Sequence, residues 1–360
     1  MVRSAEAAGF NTLLVQVRGR GDSYFNGTIE PRASELLSKP AFDPLKTTLD
    51  LAHAAGMKVH AWVAVNLVSS AASLPASRDH VVYRAPEWLM VPRELAVEMR
   101  KIDLRSPAYI GRLARWTRAN AETVEGLYTS PTHPAAQAHT TAVIAELAHN
   151  YAIDGVHLDY VRYPNEDFDY SAAAIDQFKT AIRPALTGSE RSEAAARELL
   201  DPIAYPNLFR ERWNDFRRER LTALVTRIRA AVKAERPNAL VSAAVIPDAQ
   251  RALDERLQDW RAWLDLSLLD VLCPMAYTTE APVFQQQIAA AREYAGSRPV
   301  WAGIGAYRLS AAQTLQHIAA ARKIGTAGII LFSYDALIAP PHSAVTLGEL
   351  GRAAFGAGSH

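Results

Sequence analysis

The segment "DGVHLDYVRYP" (154–164) puts His157, Asp159, Tyr160 and Arg162 within six residues, at the end of a short apolar run. A strand built only for packing has no use for an imidazole, a carboxylate and a guanidinium at its tip. Together they are equipment for binding or proton transfer. Two carboxylates flanking a glycosidic bond are the minimum for hydrolysing it, one as nucleophile or base and the other as proton donor. Asp159 is the expected nucleophile, with Arg18 and His157 as neighbours that steady its charge, and Arg162 is expected among the groups that bind substrate. The expected donor is Asp248, ahead of Glu280 and Asp335, all three of which could equally serve as loop carboxylates or helix caps.

Residues of the same character recur in other apolar runs. In 58–66, "KVHAWVAVN", His60, Trp62 and Asn66 fall on one face and Val59, Val63 and Val65 on the other. In 11–18, "NTLLVQVR", Gln16 and Arg18 share a face, and in 154–160 His157 and Asp159 do. Later runs end near Tyr277, Tyr307 and Asp335, and the run at 299–307 also carries Trp301. Trp62, Trp301, Tyr24, Tyr163 and Tyr277 supply flat faces for pyranose rings, while Arg, Asn and Asp side chains would bind hydroxyls.

The elements that must position these groups are seven strand-like runs, at 11–18, 58–66, 154–160, 239–246, 269–277, 299–307 and 327–335, separated by segments with helical spacing. Alternation of this kind predicts an α/β fold with a parallel sheet. Three joints, "AAGFNTLLV", "AAGMKVHAW" and "KIGTAGIIL", put a glycine between helix and strand, as a repeated βα unit requires. The expectation is a TIM-type (β/α)8 barrel over 1–352, with loop insertions at about 67–139 and 164–210 and a tail at 353–360. Seven strands are one too few, so a first strand is expected upstream of Met1.

Composition excludes several other classes. Lys plus Arg (39) nearly balances Asp plus Glu (38), which gives no field for nucleic acid or anionic lipid. The basic run "FRRER" (216–220) reads as the solvated face of a helix. No apolar run approaches the roughly 20 residues that cross a bilayer. The lone Cys273 forbids a disulfide within the chain and reads as a buried, inert thiol. Neither GxGxxG after a strand nor a Walker motif is present, and no GxSxG elbow. His60, His157 and Asp159 could hold a metal, but HxH and HExxH are absent, so no metal or cofactor is expected.

"DGVHLDYVRYP", with "GFNTLLVQVRGRGDSYF", "GMKVHAWVAVN", "LLDVLCPMAYT" and "GIILFSYDAL", resembles the bacterial glycosyl hydrolase-like family 10 across nearly the whole chain. The resemblance implies a TIM-barrel glycosidase whose catalytic Asp ends the fourth barrel strand, here Asp159. It makes 11–18 the second strand, and it implies that Asp22 and Tyr24 of "GRGDSYF" line the cleft. Many relatives carry "DDY" where this chain has Asp159 followed by Tyr160. Relatives are frequently exported or attached to the cell envelope, and some resemble enzymes acting on peptidoglycan glycan strands. The expected partner is therefore an oligo- or polysaccharide. A barrel that binds sugar without chemistry and a metal-dependent hydrolase stand as the alternatives.

Overall fold

The computed structural model describes residues 1–339 and 344–355. Seven strands form where the apolar runs lie: β1 Thr12–Arg18, β2 Lys58–Ala64, β3 Gly155–Asp159, β4 Leu240–Val245, β5 Val271–Pro274, β6 Trp301–Gly305 and β7 Gly328–Phe332. β1 to β5 pair in sequence order, all parallel, and β6 pairs in parallel with β7. Parallel bridges Leu272–Val300 and Met275–Gly303 join β5 to β6. Helices fill the connections and lie outside the strands.

The sheet is rolled. Four strand spacings in a flat sheet would set β2 and β6 about 19 Å apart. The rings of His60 on β2 and Trp301 on β6 instead lie 5.2 Å apart, and those of Trp62 on β2 and Phe332 on β7 lie 5.8 Å apart. Inward side chains therefore meet across an interior, as in a TIM-type (β/α) barrel. Among the described residues β1 and β7 are not paired with each other. On the outer side, helix Ala344–Phe355 packs against helix Val2–Ala7, with Phe355 edge-on to Phe10 at 5.2 Å. That helix takes in the first residues of the expected tail, and 356–360 lie outside the described residues.

Local chemistry explains the joints. Gly9, Gly56 and Gly325 adopt φ of 80°, 70° and 84° between helix and strand, which a residue with a Cβ rarely adopts. Asp43 accepts from Lys46 N to cap helix Pro44–Ala54, and Ser310 with Gln313 forms a capping box on helix Ala311–Ile324.

The connection from β2 to β3 carries helices Pro107–Ala119 and Pro134–Asn150, and that from β3 to β4 carries Ala172–Ile182, Gly188–Glu198 and the long Arg210–Glu235. Arg217 corrects the reading of "FRRER" as a solvated face. Its side chain is fully buried and donates to the carbonyls of Glu166 and Phe168 and to Asn214 Oδ1. It also lies over the rings of Trp213, Tyr163 and Tyr170. Burial lowers its pKa to about 10. Arg217 lies four residues after Trp213 and so shares its buried face, where the loop after β3 folds back and needs a donor for its carbonyls.

Candidate active site

Asp159 ends β3 at its C-terminal edge, where barrel sites are built. β3 is buried along its whole length, and its first residue must be glycine. A Cβ on Gly155 would sit 2.5 Å from His60 Nδ1 and 2.8 Å from the Leu240 carbonyl. Directly after Asp159 the chain turns sharply, with Tyr160 at φ 49°. That left-handed residue aims its own N–H at Asp159 Oδ1, 2.7 Å away.

Three groups donate to the Asp159 carboxylate. Besides Tyr160 N, Trp62 Nε1 reaches Oδ2 at 3.1 Å, and Arg162 Nη1 reaches Oδ1 at 3.4 Å. The same guanidinium approaches Glu125 Oε1 at 3.5 Å through Nη2. Both oxygens approach one guanidinium fork, which bounds their separation at about 9 Å, and glycosidases hold their paired carboxyl groups at about 5 to 9.5 Å. Glu125 also accepts from the buried Tyr128 hydroxyl at 2.7 Å. Burial alone would raise the Glu125 pKa, but the charge of Arg162 and the Tyr128 hydrogen bond outweigh it and lower it.

An aromatic shelf adjoins these acids. Trp62 meets Phe332 edge-on at 5.8 Å, Phe332 stacks on Tyr277 at 5.6 Å and 8°, and Tyr307 closes on both from the exposed rim. Burial, then the charge of Asp159, raises the Tyr277 pKa, which places its hydroxyl in the field of that carboxylate. The Tyr160 ring lies under Arg162, 4.4 Å from its guanidinium carbon, and edge-on to Tyr128.

The structure thus gathers Asp159, Trp62, Tyr160, Arg162 and Tyr277. Two further residues support them. Asn66 is buried; its Nδ2 donates to the Arg162 carbonyl at 3.4 Å and its N–H to the Tyr160 carbonyl at 3.3 Å, while its own carbonyl accepts from Thr129 N. His157 shares a hydrogen bond of 2.9 Å with Ser242 Oγ in the interior, and burial lowers its pKa to about 4.

Others go elsewhere. Arg18 does not share the Gln16 face, because the β1–β2 register shifts between those two residues. Its guanidinium binds Glu30 through Nε at 2.7 Å and Nη2 at 2.6 Å, and donates to the carbonyls of Ala64 and Val65. The charge beside Asp159 is accordingly Arg162 and not Arg18. Tyr24 turns to Glu35, its hydroxyl 3.3 Å from Oε2, and Asp22 accepts from Arg20 N. His60 and Trp301 meet in a layer with Gly155 and Gly328, at the strand starts rather than the C-terminal mouth. Burial, followed by the nearby His157, lowers the His60 pKa to about 4.

Asp248 is exposed and caps helix Ala249–Arg256, accepting from Arg251 N at 2.9 Å. Asp335 is exposed in helix Tyr334–Ile338, and Glu280 is exposed ahead of helix Ala281–Ala295. Tyr163 is fully buried and donates to the Arg217 carbonyl. Burial pushes the Cys273 thiol up. Among the described residues no three His, Cys, Asp or Glu side chains gather as metal ligands would, and no helix is long and apolar enough to cross a membrane.

Sequence reasoning missed Glu125, Tyr128 and Phe332. Phe332 was accessible, since it shares parity with Gly328 and Ile330 on β7. Glu125 and Tyr128 carry no such signal, because they lie in an irregular stretch with no period to read.

Comparison with known proteins adds an independent line. A family model described as "Glycosyl hydrolase-like 10" matches residues 1–316. Glycosyl hydrolase DigH of Escherichia coli (strain K12) is 24% identical over 290 residues, 75% of this chain and 55% of that protein. Glycosyl hydrolase YngK of Bacillus subtilis (strain 168) is 22% identical over 298 residues, 77% and 48% respectively. The chain therefore spans about half the length of these relatives. Among solved structures, the PgaB (BpsB) glycoside hydrolase domain from Bordetella bronchiseptica superposes with a TM-score of 0.64 at 15% identity, covering 97% of this chain and 91% of that one. A β-galactosidase from Bacillus circulans sp. alkalophilus gives 0.62 at 13% identity, with 98% and 52% covered. At those identities the likeness speaks for the barrel fold.

Proposed function

Because the chain belongs to the glycosyl hydrolase-like 10 family, we propose that it is a glycoside hydrolase acting on a bacterial polysaccharide, with Asp159 as nucleophile. The observation that carries this reading is the setting of Asp159: a carboxylate at a strand end, met by three donors and flanked by the half-buried rings of Trp62, Phe332 and Tyr277. A sugar ring stacked on that shelf would bring its anomeric carbon towards the Asp159 carboxylate. Attack by a carboxylate oxygen forms a glycosyl ester as the bond to the leaving oxygen breaks, and water then releases the sugar. Trp62, Tyr160 N and Arg162 hold the carboxylate in one orientation through both steps. Glycan strands of peptidoglycan are the first substrate to try, on the resemblance stated above.

The test is a panel of peptide-free peptidoglycan strands, chitin oligosaccharides, and α- and β-linked gluco- and galacto-oligosaccharides. The wild type should release reducing ends from at least one of them. Asp159→Asn should lower that rate by about 10³-fold or more while circular dichroism stays unchanged. Turnover by the Asn variant at the wild-type rate would remove Asp159 from the chemistry.

A further inference from the structure

Asp159 supplies one carboxylate, and hydrolysis needs a second group that gives a proton to the leaving oxygen and recovers one from water. Of the acids expected from the sequence, Asp248 accepts from Arg251 N as a helix cap, and Glu280 and Asp335 are exposed at helix starts with no contact to Asp159 or Arg162 among the described hydrogen bonds and ion pairs. Among the acids on the loops around Asp159, Glu125 shares its guanidinium. We propose that Glu125 is the acid/base residue of the reaction, set opposite Asp159 by Arg162 and oriented by Tyr128. The assignment rests on the glycosidase reading above.

The geometry fits the role. Arg162 approaches Oε1 and Tyr128 binds Oε2, so the carboxyl plane is fixed from two sides, yet the Glu125 side chain retains 36% exposure. It is thus positioned and still open to substrate and water, whereas the Tyr128 ring behind it is buried. In the first step protonated Glu125 gives its hydrogen to the leaving oxygen while an Asp159 oxygen bonds to the anomeric carbon. In the second, water attacks that carbon, its proton passes to Glu125, and the bond to Asp159 breaks. Both carboxyl groups end as they began, and the net reaction consumes one water.

The groups around Glu125 set its pH behaviour. Arg162 and Arg256 act on it as positive charges, Tyr128 and its own backbone N–H are hydrogen-bond donors, Tyr160 lies within its field, and Asp159 shares Arg162 with it. The positive charges and the Tyr128 bond stabilise the ionised form, so the proton-bearing form gains as pH falls. Activity should therefore decline towards neutral and basic pH, along a limb governed by Glu125.

The experiment uses whichever panel glycan the wild type cleaves. Glu125→Gln should lower kcat by about 100-fold or more, abolish the basic limb, and keep far more of its kcat/KM on a 2,4-dinitrophenyl glycoside of the released sugar, whose leaving group needs no proton. Added sodium azide should restore turnover of that aryl glycoside by Glu125→Gln and yield a glycosyl azide. Tyr128→Phe, which removes only the donor to Oε2, should stay active and move the basic limb to higher pH, a shift that a purely structural Tyr128 would not produce. A Glu125→Gln enzyme within threefold of wild-type kcat, with Asp159→Asn dead, overturns the assignment and leaves the glycosidase reading standing. A wild type that cleaves nothing in the panel overturns both.

Discussion

Replacing Glu30 with Gln should cost about 3 kcal/mol of stability at pH 7 and less than half of that at pH 3. Glu30 lies on the loop after β1 with 1% of its side chain exposed, and it accepts from Arg18 Nε, Arg18 Nη2 and His139 Nε2 at 2.7, 2.6 and 3.0 Å. Burial alone would raise its pKa; the Arg18 charge and the bonds from His139 and Arg18 outweigh it and bring it from 4.5 to about 2. Each unit is worth about 1.4 kcal/mol, which gives the figure of about 3. The folded-state value is the depressed one, so the stabilisation is complete above the unfolded pKa near 4.5 and disappears as pH falls through about 2. An independent argument agrees: removing one partner of a buried ion pair strands the other charge, at about 3–5 kcal/mol. For a chain of 360 residues the same loss is a fall in Tm of roughly 4 °C. Urea unfolding of both proteins, followed by tryptophan fluorescence at pH 7 and pH 3, measures the gap at each pH. A gap below about 1 kcal/mol at pH 7, or one that does not narrow at pH 3, would refute the reasoning.

Trp62→Phe keeps a ring against Phe332 but removes the indole donor to Asp159 Oδ2. A hydrogen bond to a charged group is worth about 1.5–3 kcal/mol, so kcat should fall by about 10- to 100-fold in steady-state assays, and an unchanged kcat would show that this bond does not steady the nucleophile. Gly155→Ala forces a Cβ against the His60 ring and the Leu240 carbonyl and should cost about 1–3 kcal/mol in thermal or chemical melts. Adding His60→Ala should recover part of that loss, and strict additivity of the two changes would place the clash elsewhere.

All seven strands were legible because parallel strands buried on both faces read as short apolar runs bounded by turn signals. Asp159 was legible for the opposite reason, as a carboxylate ending such a run. Parity reading failed at Arg18, where a register shift after Gln16 turns the side chain to Glu30, since strand alternation carries no information about irregular pairing. It also gave side but not height: His60 and Trp301 do face the interior, yet they meet near the strand starts, below the level of Asp159. Arg217 and Glu125 were illegible because each takes its meaning from a loop that arrives from elsewhere in the chain. The loop after β3 buries Arg217, and Arg162 from that same loop gives Glu125 its partner.

Division of labour between strands and loops follows from these contacts. The strands contribute Asp159 and Trp62, groups whose positions the barrel fixes through paired backbone. Tyr160 and Arg162 come from the loop after β3, and Glu125 and Tyr128 from the one after β2, where Tyr128 is held by a single antiparallel bridge to Leu67. The two loops are spliced at Asn66, just past the end of β2. Its N–H donates to the Tyr160 carbonyl and its side chain to the Arg162 carbonyl, while its own carbonyl accepts from Thr129 N, one residue beyond Tyr128. One buried residue thereby sets the backbone of both loops relative to the strand next to Asp159. Asparagine suits that position because its amide donates from a side chain short enough to stay within one strand spacing, leaving the main-chain N–H and carbonyl free for the other two bonds. Asn66, which the sequence offered as a ligand for sugar hydroxyls, thus commits its N–H, its carbonyl and its Nδ2 to the backbone of the two loops beside Asp159.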